Sequence, residues 1–387
     1  MESEMSNRPS SSALIAARRE EVFASYKAAN ARNRRLFLEG NAMATEEYIF
    51  PNQMEDANNI VEMFYQNRKL RAISILKKTK VGADGLMLET AKLLTTHSDD
   101  EFVISPENVR MITGMSNTAW QKDMIEKAPT CFKCNIFHHA QLKKAELSKM
   151  RNCVIFADEN DAASGEDRVV HKTLRDAGLL DVKHMEEWNI RFVFISATPI
   201  KELHDLNKWG DVHALYRMTI PASYVGHSDF LERGIVQEFY HLGSGENADK
   251  WVREDIIANY GAELRVHLVR VNGKTVDTVR NACIRNGIPF TNHTSTDRLT
   301  EKDMEEIFIQ PLKSHVVIAV IGLFRRANLI PNIWKLRIGA THELYTKKPD
   351  FSVQIQGLTG RMTGYWRNAI DSHVGNNICE KYPGRIF

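Results

Sequence analysis

The stretch Val154-Ile155-Phe156-Ala157-Asp158-Glu159-Asn160-Asp161 decides the fold of this chain. Its apolar half is typical of a short buried strand, and carboxylates follow that strand at once. In an open parallel sheet, ligands bind beyond the carboxyl ends of the strands. We therefore predict a strand that presents Asp158 as a ligand for Mg²⁺ and Glu159 as the group that polarises a water. A strand followed by an ordinary polar turn is the alternative.

A second apolar run, Phe192–Ile195, is followed by Ser196-Ala197-Thr198-Pro199. Proline has no backbone N–H to donate to a sheet, so we expect the strand to end here. The hydroxyl groups of Ser196 and Thr198 can hydrogen-bond a neighbouring carboxylate and couple one site to another. Taken alone, the pattern is weak.

A third segment, Gln356-Gly357-Leu358-Thr359-Gly360-Arg361, sets an arginine among glycines. A guanidinium that is offered across a domain cleft stabilises phosphate charge in a transition state. The alternative is a glycine-rich loop on which Arg361 is exposed to solvent.

Short β-branched runs alternate with helical segments from Phe50 onward. This alternation predicts an α/β fold with mainly parallel, doubly wound sheets. We predict a tail and amphipathic helix over residues 1–45, one α/β domain over 46–245 and a second over 246–387. The predicted strands are Arg71–Leu76, Glu101–Ile104, Val109–Thr113, Cys153–Ala157, Arg191–Ser196, Leu264–Val269, Val316–Val320, Leu336–Ile338 and Ser352–Ile355.

Length and composition are those of an ordinary globular protein. The chain has 387 residues, 43% of them hydrophobic, and 51 basic against 49 acidic residues give a net charge of +2. Nucleic acid would therefore have to bind a local basic face, because the chain has no strong overall charge. No apolar run is long enough for a membrane helix, and five cysteines favour a reduced intracellular compartment.

In this order and spacing, the three motifs resemble those of the superfamily 2 helicases. Asp158-Glu159-Asn160-Asp161 looks like their DExD/H box, Ser196-Ala197-Thr198 like their SAT motif, and Gln356 with Gly360-Arg361 like their QxxGR motif. The resemblance covers roughly Tyr48 to Arg367. The sequence resembles the helicase-like proteins of phages and large DNA viruses more than it resembles ordinary DEAD-box enzymes.

The resemblance implies two RecA-like domains that bind ATP with Mg²⁺ and hold one strand of DNA or RNA. It assigns Asp158 to Mg²⁺, Glu159 to the attacking water and Arg361 to the phosphates. Gln53 looks like the glutamine that reads adenine. Arg325 and Arg326 follow a strand and would contact phosphate of the nucleotide or of nucleic acid. Other proteins of a viral, replication or transcription complex are expected partners, and a membrane is not.

The phosphate loop departs from the family, because a working loop needs Gly-Lys-[Ser/Thr] at the start of a helix. Here Gly82-Ala83-Asp84-Gly85 stands at that place, so the lysine and the hydroxyl are both missing. Two like charges about 4 Å apart repel by roughly 4 kcal/mol at an effective dielectric near 20, which opposes phosphate beside Asp84. A helix dipole, at about 0.3–1 kcal/mol, does not offset this.

Either of two contacts would restore nucleotide binding by the loop. Asp84 could bind Mg²⁺ directly, or Lys77, Lys78 or Lys80 could contact the phosphates. The sequence thus leaves three functions open. The first is a helicase-like protein that binds nucleic acid with impaired remodelling. The second is an active ATPase or helicase with a non-standard loop. The third is a structural or scaffold protein built on a helicase fold.

Overall fold

The computed structural model describes residues 11–97, 103–114, 118–159, 169–197, 207–294, 297–321, 330–348, 354–365 and 385–387. The chain divides into two compact units. Unit 1 comprises Met1–Glu39, Ala44–Lys78 and Gly82–Ile220, and unit 2 comprises Gly40–Met43, Thr79–Val81 and Pro221–Phe387. The main division falls at Ile220, whereas the sequence prediction drew it after residue 245.

Unit 1 is built on a six-stranded sheet in which every neighbouring pair is parallel. Its strand order is β3-β2-β4-β5-β1-β6. All residues of β4 and β5 are buried, as expected for central strands of a parallel sheet that is covered on both faces. The strands are β1 (Ala72–Leu76), β2 (Val109–Thr113), β3 (Ile136–His138), β4 (Cys153–Asp158), β5 (Ile190–Ser196) and β6 (His213–Arg217).

Helices of unit 1 alternate with these strands. They are α1 (Ser11–Leu38), α2 (Pro51–Gln66), α3 (Ala83–Thr96), α4 (Thr118–Lys127), α5 (Val169–Asp176) and α6 (Val182–Glu187). The predicted N-terminal helix is confirmed as α1. It buries Val22, Tyr26 and Ala29, and the Tyr26 hydroxyl donates a hydrogen bond to the carbonyl of Leu88 in α3.

Unit 2 contains a parallel five-stranded sheet of order β13-β11-β8-β10-β9 and a separate antiparallel pair, β7 with β12. Its strands are β7 (Tyr224–Val225), β8 (Val266–Arg270), β9 (Phe290–Thr294), β10 (Val316–Ile321), β11 (Ile338–His342), β12 (Gly364–Tyr365) and β13 (Arg385–Ile386). Its helices are α7 (His227–Glu232), α8 (Gly245–Lys250), α9 (Val276–Arg285), α10 (Glu301–Phe308), α11 (Asn332–Lys335) and α12 (Leu358–Met362), with a π-helix at Trp251–Ala258.

The predicted fold class, two RecA-like doubly wound parallel-sheet domains with an N-terminal helix, is confirmed by these two sheets. Most strand predictions agree to within a few residues. The prediction of a strand over Ser352–Ile355 is wrong at residues 354 and 355, which are helical, and residues 103 and 104 of the predicted strand Glu101–Ile104 are not in a strand. The other residues of these two predictions lie outside the described part of the chain.

The sequence prediction missed six of the described strands: β3, β6, β9 and β13, which lie at the edges of the two large sheets, and β7 and β12, which form the separate pair. An edge strand is buried less completely, so its sequence lacks the continuous apolar run of a central strand. In the described ranges, no helix is both long enough and apolar enough to cross a membrane.

Candidate functional site

Three neighbouring strands of unit 1, β1, β5 and β4, end at the same edge of the sheet. Leu76 pairs with Ser196, and Ile195 pairs with Asp158. The Lys77 backbone N–H donates to the Ser196 carbonyl at 3.1 Å, and the Glu159 N–H donates to the Ile195 carbonyl at 2.9 Å. The strand ends therefore hold Lys77 and Glu159 on either side of β5.

Asp158 and Glu159 meet at a single lysine. The Nζ atom of Lys77 lies 3.4 Å from Oδ1 of Asp158 and 2.9 Å from Oε1 of Glu159. The other oxygen of Asp158, Oδ2, accepts a hydrogen bond of 2.9 Å from the indole Nε1 of Trp120. Glu159 has φ of +49°, a left-handed conformation that is uncommon outside glycine.

The charges of this cluster depend on one another. Burial raises the pKa of Asp158 to about 6, against the attraction of Lys77, so the carboxyl is mostly ionised at neutral pH. Burial by itself lowers the pKa of Lys77, but the charges of Asp158 and Glu159 outweigh burial and raise that pKa above its ordinary value. The Lys77 ammonium thus faces two carboxyl groups in a buried place.

The loop that resembles a phosphate loop leads into α3. Gly82 caps the helix with φ of +94°, which favours glycine, and Ala83 is buried. Asp84 lies in the first turn, where a negative charge is stabilised by the helix dipole. Its Oδ2 lies 3.1 Å from the Nζ of Lys127, and that ammonium also lies 2.6 Å from Oδ2 of Asp123.

Gln53, the predicted adenine reader, lies against this loop with 2% of its surface exposed. Its Nε2 donates to the Gly82 carbonyl at 2.8 Å, and its Oε1 accepts from the Phe50 N–H at 2.9 Å. A side chain at Gly82 or Gly85 would collide with the Gln53 amide. The glutamine therefore supports the loop, and contact with a base would require it to release these bonds.

The residues present do not fit Mg²⁺ as they stand. A lysine ammonium already lies between the two carboxylates, and no hydroxyl group stands at residue 84. Among the described residues, no group of three or more His, Cys, Asp or Glu side chains could hold a metal ion. Of the two rescues predicted from the sequence, the first is opposed because Asp84 is engaged by Lys127. Of the three lysines offered by the second, Lys77 is engaged by Asp158 and Glu159.

Gln356 and Arg361 belong to unit 2 and are nearly inaccessible, with 1% and 2% of their surfaces exposed. Arg361 lies in α12 beside Lys335. Burial and the neighbouring guanidinium lower the pKa of Lys335 to about 7. The Lys335 ammonium donates to the Thr363 carbonyl at 2.6 Å and to Oδ1 of Asn332 at 2.8 Å.

A partly buried ion pair in unit 2 lies at the start of α12. Oε1 of Glu343 lies 2.5 Å from Nε of Arg270, and its Oε2 accepts a hydrogen bond of 2.9 Å from the Leu358 N–H. Lys80 also belongs to unit 2, with φ of +57°.

Several predicted site residues cannot be compared with the structure. Ser196 is buried at the end of β5, as predicted, but its partner Thr198 lies outside the described residues, as do Arg325 and Arg326. No role follows from the sequence for Trp120, Lys127, Arg270 or Glu343. The i,i+4 spacing of Asp123 and Lys127 is a local signal for that pair, whereas Asp84, Asp158 and the Arg270–Glu343 pair are brought to their partners only by folding.

No protein-family model and no curated protein matches the chain. Solved structures give distant matches. A variant of S. cerevisiae Dbp5 bound to RNA and ADP BeF3 is 12% identical, with a TM-score of 0.41 over 84% of this chain and 95% of that one. The Pyrococcus furiosus Hef helicase domain is 9% identical, with a TM-score of 0.44 over 78% and 91%. The Sulfolobus solfataricus SWI2/SNF2 ATPase core in complex with dsDNA is 10% identical, with a TM-score of 0.33 over 80% and 85%.

Proposed function

We propose that this protein is a superfamily 2 helicase-like protein that binds single-stranded DNA or RNA and in which ATP-dependent remodelling is impaired or lost. Nucleic-acid binding is carried over from the resemblance of the three sequence motifs. The observation that carries the impairment is the Asp84 carboxylate in the first turn of α3, where the family has a hydroxyl residue, and Ala83 in place of the loop lysine supports it.

The Asp84 carboxylate opposes a bound phosphate in two ways. It adds a negative charge at the end of the helix that would attract an anion. It also engages Lys127, whose ammonium is shared with Asp123, so one positive charge faces two negative ones. A phosphate at this place would add further negative charge, and repulsion at about 4 Å costs roughly 4 kcal/mol at an effective dielectric near 20.

Ala83 removes the ammonium that would neutralise the β and γ phosphates. Lys77, which the sequence offers as a substitute, is held by Asp158 and Glu159. These contacts favour a loop with weak nucleotide affinity and little or no turnover. ATP and Mg²⁺ are therefore proposed as cofactors only because the motifs resemble those of helicases. We expect neither to bind this loop tightly.

The proposal is tested by measuring ATP hydrolysis with and without single-stranded DNA or RNA, beside a Glu159→Gln variant. We expect no turnover above that of Glu159→Gln, while fluorescence anisotropy detects nucleic-acid binding that ATP does not change. Turnover that disappears in Glu159→Gln would mean that the chain is an active ATPase. Absence of nucleic-acid binding would favour a protein scaffold.

A matched pair of variants tests the role of Asp84 itself. Asp84→Asn should tighten ATP binding by roughly tenfold or more, because it removes the negative charge at the helix start. Asp123→Asn removes the other carboxylate on Lys127, which stands in α4 rather than at the start of α3, and should tighten ATP binding clearly less. Equal effects of the two variants, measured by calorimetry, would contradict the assigned role of Asp84.

A further inference from the structure

Lys77 makes an ion pair that the helicase resemblance does not predict. The resemblance gives Asp158 a magnesium ion and Glu159 a water, whereas the structure places one lysine ammonium 3.4 Å and 2.9 Å from these two carboxylates. All three side chains are 9% exposed or less. The ammonium thus lies within ion-pair distance of both carboxylates.

The backbone keeps this arrangement in place. Lys77 directly follows β1 and Glu159 directly follows β4, and both backbone N–H groups bond to carbonyls of β5, the strand between them. The lysine stem therefore needs only to cross the end of one strand to reach the carboxylates. Movement of the ammonium away from them would leave two like charges together in a buried place, which is unfavourable.

A divalent cation would have to compete with this ammonium. A metal bound between Asp158 and Glu159 would lie beside a second positive charge, and the two cations would repel. Trp120 already donates a hydrogen bond to the other oxygen of Asp158. Magnesium also demands near-octahedral oxygen ligands, which two carboxylates shared with a lysine and an indole do not supply.

The sequence places its lysine at the carboxylates rather than at the loop. Position 83, where the helicase loop carries its lysine, is alanine, whereas Lys77 occurs six positions earlier, directly after β1. Its ammonium gives the buried carboxylates a counter-ion that needs no nucleotide and no metal.

We infer that the Lys77 ammonium is a permanent counter-ion that takes the place of a divalent cation at Asp158 and Glu159, so that this site binds no magnesium. The inference does not depend on the proposed loss of hydrolysis, which rests on Ala83 and Asp84. It also does not depend on nucleic-acid binding. Its test uses the full chain and metal alone, without nucleotide.

The first measurement titrates Mn²⁺, a spin probe for magnesium sites, into the wild-type protein and into Asp158→Asn, with free Mn²⁺ followed by electron paramagnetic resonance. We expect the two proteins to bind Mn²⁺ equally weakly. A wild-type Mn²⁺ site that Asp158→Asn abolishes would overturn the inference. This comparison needs no change at Lys77.

The second measurement removes the ammonium. Lys77→Met keeps most of the side-chain length and should create an Mn²⁺ site at least roughly tenfold tighter than any in the wild type, because two close carboxylates then lack a cation. Adding Asp158→Asn to Lys77→Met should abolish that site. The matched control, Lys78→Met, changes the adjacent lysine and should gain no site.

Thermal unfolding gives an independent readout. Mn²⁺ should raise the unfolding temperature of Lys77→Met, because a ligand that binds only the folded state stabilises it, and should leave the wild type unchanged. A folded Lys77→Met protein that gains neither Mn²⁺ binding nor metal-dependent stability would contradict the inference. If Lys77→Met does not fold, the comparison of wild type with Asp158→Asn still decides.

Discussion

At the scale of single residues, the loop of unit 1 is supported by a buried amide. Gln53 uses its Nε2 for Gly82 and its Oε1 for Phe50, and only 2% of its surface is exposed. Buried amides contribute little net free energy when satisfied, but a partner left unsatisfied in the interior is costly. The loop backbone therefore depends on this side chain.

Gln53→Ala should lower the free energy of unfolding by about 1–3 kcal/mol, because the Gly82 carbonyl loses its donor and a cavity opens beside two glycines. Urea denaturation measures the change. Asn58→Ala, in the same helix, removes a bond from an exposed amide to the Met54 carbonyl and should cost much less. A Gln53→Ala protein as stable as Asn58→Ala would show that the amide does not support the loop.

At the scale of elements, α2 is tied to the end of β6 by one buried carboxylate. Asp56 is fully buried and accepts hydrogen bonds from the Tyr216 hydroxyl at 2.7 Å, the Thr219 hydroxyl at 2.7 Å and the Thr219 N–H at 2.9 Å. A buried charge with three donors is well compensated. The edge strand β6 is thus joined to a helix by polar contacts as well as by its pairing with β1.

Asp56→Ala should therefore cost about 3 kcal/mol or more of unfolding free energy, because it leaves three donors without their acceptor. The exposed neighbour Glu55→Ala should change stability by no more than about 0.5 kcal/mol. Chemical denaturation of both variants gives the comparison, and Tyr216→Phe should fall between them. Similar values for the two alanine variants would contradict the role of Asp56.

At the scale of the whole molecule, buried histidines connect stability to pH. His342 is fully buried, and burial lowers its pKa to about 4, while the pKa of the equally buried His267 is held well below its usual value. His342 lies with Nδ1 2.7 Å from the Glu343 carbonyl, and its Nε2 accepts from the Tyr240 N–H at 3.4 Å. These contacts suit the neutral ring.

The unfolded chain takes up these protons near pH 6.5, whereas the folded chain does so only at lower pH. The unfolded state thus binds more protons than the folded state between these pH values. The contribution of neutral His342 to the free energy of unfolding is therefore complete above about pH 6.5 and is lost as the pH falls toward 4. We expect this one histidine to remove about 3 kcal/mol over that range. Urea midpoints at several pH values measure the loss.

His342→Asn is the variant that checks the assignment. Its side-chain amide can take the place of Nδ1 but does not titrate, so stability should depend less steeply on pH between 6.5 and 4. His241→Asn, the same change at an exposed histidine, is the matched control for the substitution. The same slope in all three proteins would mean that other groups govern the acid response.

Much of this protein follows from its sequence alone. Central strands such as β4 and β5 are mainly continuous apolar runs. Such a run is buried whichever strands lie beside it, so it can be predicted without knowing its neighbours in the sheet. The carboxylates at the end of β4 and the hydroxyl at the end of β5 are likewise local, because the end of a parallel strand is determined by the strand itself. The same is true of the missing lysine and hydroxyl at Ala83 and Asp84.

Only the tertiary structure decided which groups meet at the site. Lys77 and Glu159 are 82 residues apart, and they come together because β1 and β4 both lie next to β5. Local periodicity does not encode that order of strands. The partners of Gln53 and Asp84 were hidden for the same reason, because a polar side chain is committed to one partner only when folding brings that partner within hydrogen-bond distance.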